Sequence, residues 1–157
     1  MNIPTSPPTT SPDDLVHDLR QPRRRGQDRL AARQNERVVK GFWRAMAAND
    51  FAAAGRFLHD DFVLDWPQSG ERIRGPENFV AVNQHYPTVG RWQITVDRLI
   101  ADERGVATDV TVTDGVQADR AITFSELRDG RIIRQTEYWL GGVEPAAWRA
   151  RWVESGP

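Results

Sequence analysis

From Asp28 onward, apolar residues recur at three- and four-residue spacing. Leu30, Val38, Val39, Phe42, Trp43 and Met46 fall on one helical face. Asn49-Asp50 stops that helix and can cap a second, FAAAGRFL, whose apolar side holds Phe51, Ala54, Phe57 and Leu58. DDFVLDWP reads as a short strand closed by Pro67. Gly75-Pro76-Glu77 opens a third helix with Pro76 at its first position, and Pro87 ends it just after His85 and Tyr86. Strand periodicity then takes over. WQITVDRLIA, RGVATDVTVT, QADRAITFSEL and RIIRQTEYWL are separated by Asp-Glu-Arg-Gly, Asp-Gly and Arg-Asp-Gly turns, which are hairpin signals. Pro145 opens a last helix, PAAWRARW, with Trp148 and Trp152 four apart. The pattern predicts an α+β fold: three N-terminal helices packed on one face of a curved, mostly antiparallel sheet, followed by a short C-terminal helix. Where the helices fail to fill the concave side, a cavity is expected.

Residues 1–27 do not share this patterning. Pro4, Pro7, Pro8 and Pro12 stand among Ser and Thr, and few residues there could build a core, so a disordered tail is expected. Arg23, Arg24 and Arg25 follow, but Asp13, Asp14 and Asp18 lie nearby, and a solvated linker accounts for them. The folded domain is expected to span residues 28–157.

Composition narrows the function. With 157 residues, 39% of them hydrophobic, the chain suits one domain with a real core. It has no cysteine, which excludes disulfides, thiolate metal sites and thiol chemistry, and which fits a reducing compartment. No apolar run approaches the ~20 residues needed to span a bilayer. The N-terminus lacks a signal peptide's apolar core, so a cytoplasmic protein without membrane association is expected. A net charge of −1 gives no electrostatic case for nucleic acid. Arginine far outnumbers lysine, Lys40 being the only one, as in GC-rich bacterial coding sequences. The three histidines, His17, His59 and His85, have no paired spacing, so no metal site is expected. No Gly-x-Ser-x-Gly elbow, phosphate loop or dinucleotide fingerprint occurs, and no cofactor is expected.

The chemistry concentrates in RQTEYWLGG, residues 134–142. A strand there puts Ile133, Gln135, Glu137 and Trp139 on one face and Arg134, Thr136, Tyr138 and Leu140 on the other. A carboxylate buried beside an aromatic wall loses solvation, which favours its neutral form. Glu137 could therefore serve as a general acid or base, pair with Arg134, Arg120 or Arg91, or recognise a ligand.

The order of elements resembles the nuclear transport factor 2 superfamily, and within it the SnoaL-like, ketosteroid-isomerase-like branch, over about residues 35–142. LHDDFVLDWPQSGERIRG (58–75), the AMAANDFAAAGRFL helix pair and LRDGRIIRQTEYW (127–139) carry the resemblance. It implies a cone-shaped α+β barrel, usually a homodimer, with a pocket inside the cone. Ketosteroid isomerases of this branch use a tyrosine on the first helix, a base aspartate just before the proline of the first strand, and a protonated aspartate on a later strand. Those places here hold Phe42, Trp66 and Thr123, so that mechanism is not expected; a one-residue shift would put Asp65 in the base position. Limonene-epoxide-hydrolase-like members use an Asp-Arg-Asp set. Glu137 matches one acid, and RGVATDVTV offers Asp109 and Thr111 but no arginine.

The resemblance turns Gln135, Glu137 and Trp139 into the cone, together with Asp109, Thr111, Asp119, Ala121, Thr123 and Ser125. The opposite face then holds Val106, Val110, Val112, Ile122, Phe124, Tyr138 and Leu140, an apolar surface that dimerisation would cover. Alternation alone reads RGVATDVTV the other way, burying the valines and giving Asp109 and Thr111 to solvent. The expected function is binding of a small, mostly apolar organic molecule, with cofactor-free acid–base catalysis centred on Glu137 and assisted by Asp109 or His85. Phe42, Trp66, Tyr86, Thr111, Thr123, Gln135 and Trp139 are the expected ligand contacts. Trp43 and Trp92 are further candidates for the wall. A non-catalytic ligand-binding or protein-association domain is the alternative, and a purely structural partner protein a third.

Overall fold

The computed structural model describes residues 22–141 and Arg151. The expected N-terminal tail up to residue 21 and the expected helix PAAWRARW, apart from Arg151, lie outside the described residues. Helix α1 spans Pro22–Ala47, α2 Phe51–Gly55 and α3 Gly75–His85. The strands are β1 Leu58–Trp66, β2 Glu71–Arg74, β3 Gln93–Ala101, β4 Gly105–Thr113, β5 Ala118–Arg128 and β6 Arg131–Trp139. They form one curved sheet in the order β2-β1-β6-β5-β4-β3, antiparallel except where β1 runs parallel to β6.

Helix α1 begins six residues before the position that hydrophobic periodicity indicated, because its first turns are polar and exposed. Leu30, counted on its apolar face, is 69% exposed. The working face starts at Val39, and with Phe42, Trp43 and Met46 it supplies the core. Asn49 ends this helical segment at a φ of 58°, and its side-chain amide exchanges two hydrogen bonds with the Trp92 backbone, 2.8 and 3.0 Å long. Asp50 then caps α2 by accepting from Ala53 N–H at 2.9 Å. Pro76 starts α3 without needing a hydrogen-bond donor.

Strand β2 was not legible in the sequence. ERIR is an edge strand in which Ile73 alone is buried, so it carries no alternating signal. Residues 67–70 turn it back onto β1. Strand β4 settles the orientation that the sequence left open. Val106, Thr108, Val110 and Val112 face the helices and are buried, so the valines are core and not outer surface. Burying three valines outweighs anything two polar side chains would gain there.

Two bulges set which residues face inward. In β6, Leu127 opposes Ile132 but Glu126 opposes Arg134, so Ile133 is the extra residue. Ile132, and not Ile133, therefore joins the core. In β3, Asp97 is the extra residue between the Val96–Val110 and Arg98–Asp109 pairs.

Helix α1 packs on β3 and β4, α3 packs on β1, and α2 bridges the two helices. Phe42, Phe62 and Phe79 stack through neighbouring ring pairs with centroids 5.7 Å apart. Asp114 ties the segment before β3 to the β4–β5 turn. Its carboxylate accepts from the backbone of Val89, Gln117 and Val116, and these bonds hold its pKa down to about 2. Among the described residues, no helix is long and apolar enough to cross a membrane.

Gly105 opens β4 where the chain runs hard against β5, and a Cβ there would collide with the Ser125 carbonyl oxygen. Gly105→Ala is expected to destabilise the fold by about 1–3 kcal/mol through overpacking, measured by urea unfolding. A change within error would show that the backbone relaxes freely at this crossing.

Candidate functional site

The helices leave a cavity of about 120 Å³ against the inner face of the sheet. Helix α1 gives it Phe42, Trp43 and Met46, and Phe51 of α2 adds to that side. Phe79, Val82 and Asn83 come from α3, with Tyr86 just beyond. The sheet contributes Leu64, Trp66, Ile94 and Val112, then Asp119, Gln135, Glu137 and Trp139. Tyr86 and Gln117 are exposed to solvent and mark the mouth.

Glu137 is the buried acid on this wall, 8% exposed. The β5–β6 register sets it directly opposite Thr123, whose hydroxyl donates to Oε2 at 2.8 Å. The parallel register of β1 and β6, which puts Asp65 beside Thr136, brings Trp66 alongside. Its indole N–H donates to Oε1 at 2.9 Å. Burial pushes the Glu137 pKa up; the Trp66, Thr123 and Trp139 donors pull it down and offset burial only in part. Among the described residues no arginine is seen to pair with it. Of the three candidates, Arg134 pairs with Asp65, Arg120 with Asp109, and Arg91 donates to the Ala48 carbonyl. One step along the strands, Gln135 donates to Ser125 Oγ at 3.1 Å, and both side chains are buried. The inner face of β5 and β6 is thus a satisfied polar strip set in an apolar wall.

Of the expected site residues, Glu137, Phe42, Trp66, Tyr86, Gln135 and Trp139 lie on the cavity. Four do not. Asp109 faces away from the helices and holds Arg120 through two oxygens, which keeps its pKa below the usual carboxylate range. Thr111 shares that outer face and donates to Asp97 Oδ2 at 2.5 Å. Both follow from the burial of the β4 valines. Thr123 is fully buried behind Glu137 and reaches the cavity only through it. His85 is exposed, with Nδ1 2.8 Å from the Ala81 carbonyl oxygen. It lies two residues, roughly 200° round the helix, from the lining residue Asn83. A helical wheel through Phe79, Val82 and Asn83 would have found the inward face of α3. The shifted alignment that made Asp65 a base also fails: Asp65 is on the outer face, bonded to Arg72 and Arg134, while Trp66 points in.

Residues 39–135 match the family model described as the SnoaL-like domain. No curated protein matches the chain in sequence. Among solved structures, a Kribbella flavida protein provisionally called a ketosteroid isomerase is similar at 31% identity and a TM-score of 0.74, over 80% of this chain and 92% of that one. A protein of unknown function from Burkholderia xenovorans, described as NTF-2 like, is 28% identical with a TM-score of 0.66, over 80% and 97% of the two chains. An epoxide hydrolase of Mycobacterium tuberculosis, described as LEH-like, is 25% identical with a TM-score of 0.57, over 69% and 84%.

The Trp66 and Thr123 donors to Glu137 favour its charged form, so removing either should raise its pKa further. Thr123→Val and Trp66→Phe are each expected to shift the Glu137 carboxyl titration upward, read by carbon NMR. The raised pKa also fixes the sign of the stability linkage. Protonated Glu137 contributes stability that is whole below the ordinary carboxylate range and is lost as pH rises through the raised value. Glu137→Gln should abolish that loss in urea unfolding at increasing pH. A titration that moves downward in either donor variant would mean that Glu137 is neutral for some other reason.

Proposed function

The chain belongs to the SnoaL-like domain family, and we propose that its cavity binds a small, mostly apolar organic molecule and acts on it by cofactor-free acid–base chemistry through Glu137. One observation carries the reading: a carboxyl with no ion-pair partner among the described residues stands on the wall of an aromatic cavity, its pKa raised by burial. In its neutral form Glu137 can donate a proton to a carbonyl or epoxide oxygen of the ligand. The carboxylate left behind keeps the Trp66 and Thr123 hydrogen bonds, which stabilise it until it takes a proton back. This cycle suits an isomerase, cyclase or hydrolase. The similar protein called an epoxide hydrolase supports the last of these, although Asp109 is turned away from Glu137 here.

The outward turn of Asp109 favours one other reading, a non-catalytic module that holds its ligand by shape and one hydrogen bond. Glu137→Gln separates the two. Screened against epoxides and ketones, an enzyme variant should lose at least about a hundredfold in turnover while still quenching tryptophan fluorescence on binding. A binding module should show no turnover in either form and a changed affinity only. Independently of ligand, wild-type tryptophan fluorescence should show a pH transition above the usual carboxylate range that Glu137→Gln lacks. Superimposable curves would remove Glu137 from the chemistry.

The proposal includes a homodimer through the sheet face opposite the helices and a cytoplasmic setting. Ile100, Phe124 and Tyr138 are exposed there, and the Phe124 and Tyr138 rings meet edge to face at 6.4 Å. An exposed aromatic pair on a sheet face is the usual sign of a covered surface. Phe124→Lys should convert a dimer to a monomer in light scattering. A wild-type protein that is monomeric at all concentrations would sink this part.

A further inference from the structure

The mouth of the cavity differs chemically from its depth. Tyr86 and Trp92 meet there edge to face, with ring centroids 5.7 Å apart. The sheet register brings an acid to the same end. Asp119 opposes Val112, which opposes Ile94, two residues after Trp92. On the other side Trp139 opposes Ala121, one inward step along β5 from Asp119. Tyr86, Trp92, Trp139 and Asp119 all line the same cavity. Asp119 Oδ1 accepts the Arg120 backbone N–H at 2.7 Å, and no ion pair engages its side chain among the described residues. The Arg120 guanidinium lies across the sheet on Asp109.

The charge of the wall is one-sided. Among the described residues its ionisable groups are Asp119 on β5, Glu137 on β6 and the Tyr86 phenol after α3, with no lysine, arginine or histidine. An anionic ligand would meet two carboxyls and no cation. A neutral ligand would leave the Asp119 charge at the rim without a partner. An alkyl ammonium satisfies both the acid and the ring faces, because the negative faces of tryptophan and tyrosine attract cations within about 6 Å.

We propose that the cavity mouth formed by Tyr86, Trp92, Trp139 and Asp119 is a binding site for a compact alkyl ammonium group, whose apolar remainder enters the cavity toward Glu137. This deepens the small-ligand reading above and rests on it, since it names the polar group the ligand carries. Asp119 is here a recognition residue and takes no part in the acid–base step.

The test uses three probes of the same shape and different charge. They are choline, the neutral alcohol in which a tert-butyl group replaces its trimethylammonium, and tert-butylacetic acid as its carboxylate. Each is titrated into the full-length protein, and into Asp119→Asn, by calorimetry and tryptophan fluorescence. Choline should bind at least about tenfold tighter than the neutral alcohol, the equivalent of one good cation–aromatic contact plus a charge. The carboxylate should not bind. Asp119→Asn keeps the acceptor for Arg120 N–H, so its fold should be intact by circular dichroism. It should weaken choline by about tenfold and leave the alcohol unchanged. If the neutral alcohol binds as tightly as choline, the ammonium site is refuted while the apolar-ligand reading stands. A choline affinity untouched by Asp119→Asn overturns the assignment to this corner. No binding by any probe to the folded protein overturns both the site and the small-ligand reading.

Discussion

One extra residue in β6 decides what the cavity is made of. Side chains alternate along a strand, so the buried Ile132 would, without interruption, turn Arg134, Thr136 and Tyr138 inward after it. The bulge at Ile133 resets the alternation, and Gln135, Glu137 and Trp139 face the helices in their place. The polar strip on the cavity side of β5 and β6 depends on that reset. Glu137 comes to lie opposite Thr123 and beside Trp66, and Gln135 opposite Ser125. The arginine-bearing face is sent outward, where Arg134 meets Asp65. The bulge thus separates a charged outer surface from a desolvated inner one across a single strand.

The desolvation has a structural cause as well as a chemical result. Helices α1 and α3 bury the sheet at its two sides, with Phe42 and Phe79 in contact between them. The space they leave over the sheet's inner face, beside β5 and β6, is the cavity. A carboxyl at that position is shielded by tryptophan and phenylalanine while two hydrogen-bond donors remain in place. Those donors are what make the burial tolerable, since an ionised carboxyl with none would be costly in so apolar a wall. The opposed effects leave Glu137 with a raised pKa, because burial outweighs the hydrogen bonds that favour its charged form. The hydroxyl and indole therefore tune the acid without themselves needing to touch a ligand.

Much of this was readable from the chain. The Asn49-Asp50 break, the Pro76 start of α3 and the Asp-Gly hairpins each rest on a local backbone rule, and each appears where the rule put it. Glu137 stood out because alternation set it beside Trp139 on one strand face. The failures come from competition that no local rule resolves. In strand β4 alternation alone buried the valines while the resemblance pointed Asp109 and Thr111 inward, and the burial of Val106, Val110 and Val112 follows the alternation. The Ile133 bulge has no signature in the residues around it, and ERIR is too short and too charged to announce an edge strand. His85 was misplaced because nearness to the end of α3 says nothing about which side of the helix a residue occupies. Asp119 was oriented correctly, yet its importance emerges only when Tyr86, Trp92 and Trp139 arrive from other elements.

The chain is similar to a protein provisionally called a ketosteroid isomerase, but the polarity of its site differs from the pattern that the resemblance implies. The isomerases of the branch that this chain resembles place a base on the first strand and proton donors on the first helix and a later strand. In this chain the first-strand position is Trp66, whose N–H can only donate, and it donates to Glu137. The later-strand position is Thr123, which donates to the same carboxyl and lies beneath it. The first-helix position is Phe42, which can do neither. Two of the three positions, Trp66 and Thr123, thus support one acid on β6, and the third is a ring of the cavity wall. A chemistry suited to this arrangement needs one acid that reverses its own step, not a base and an acid working across a ring.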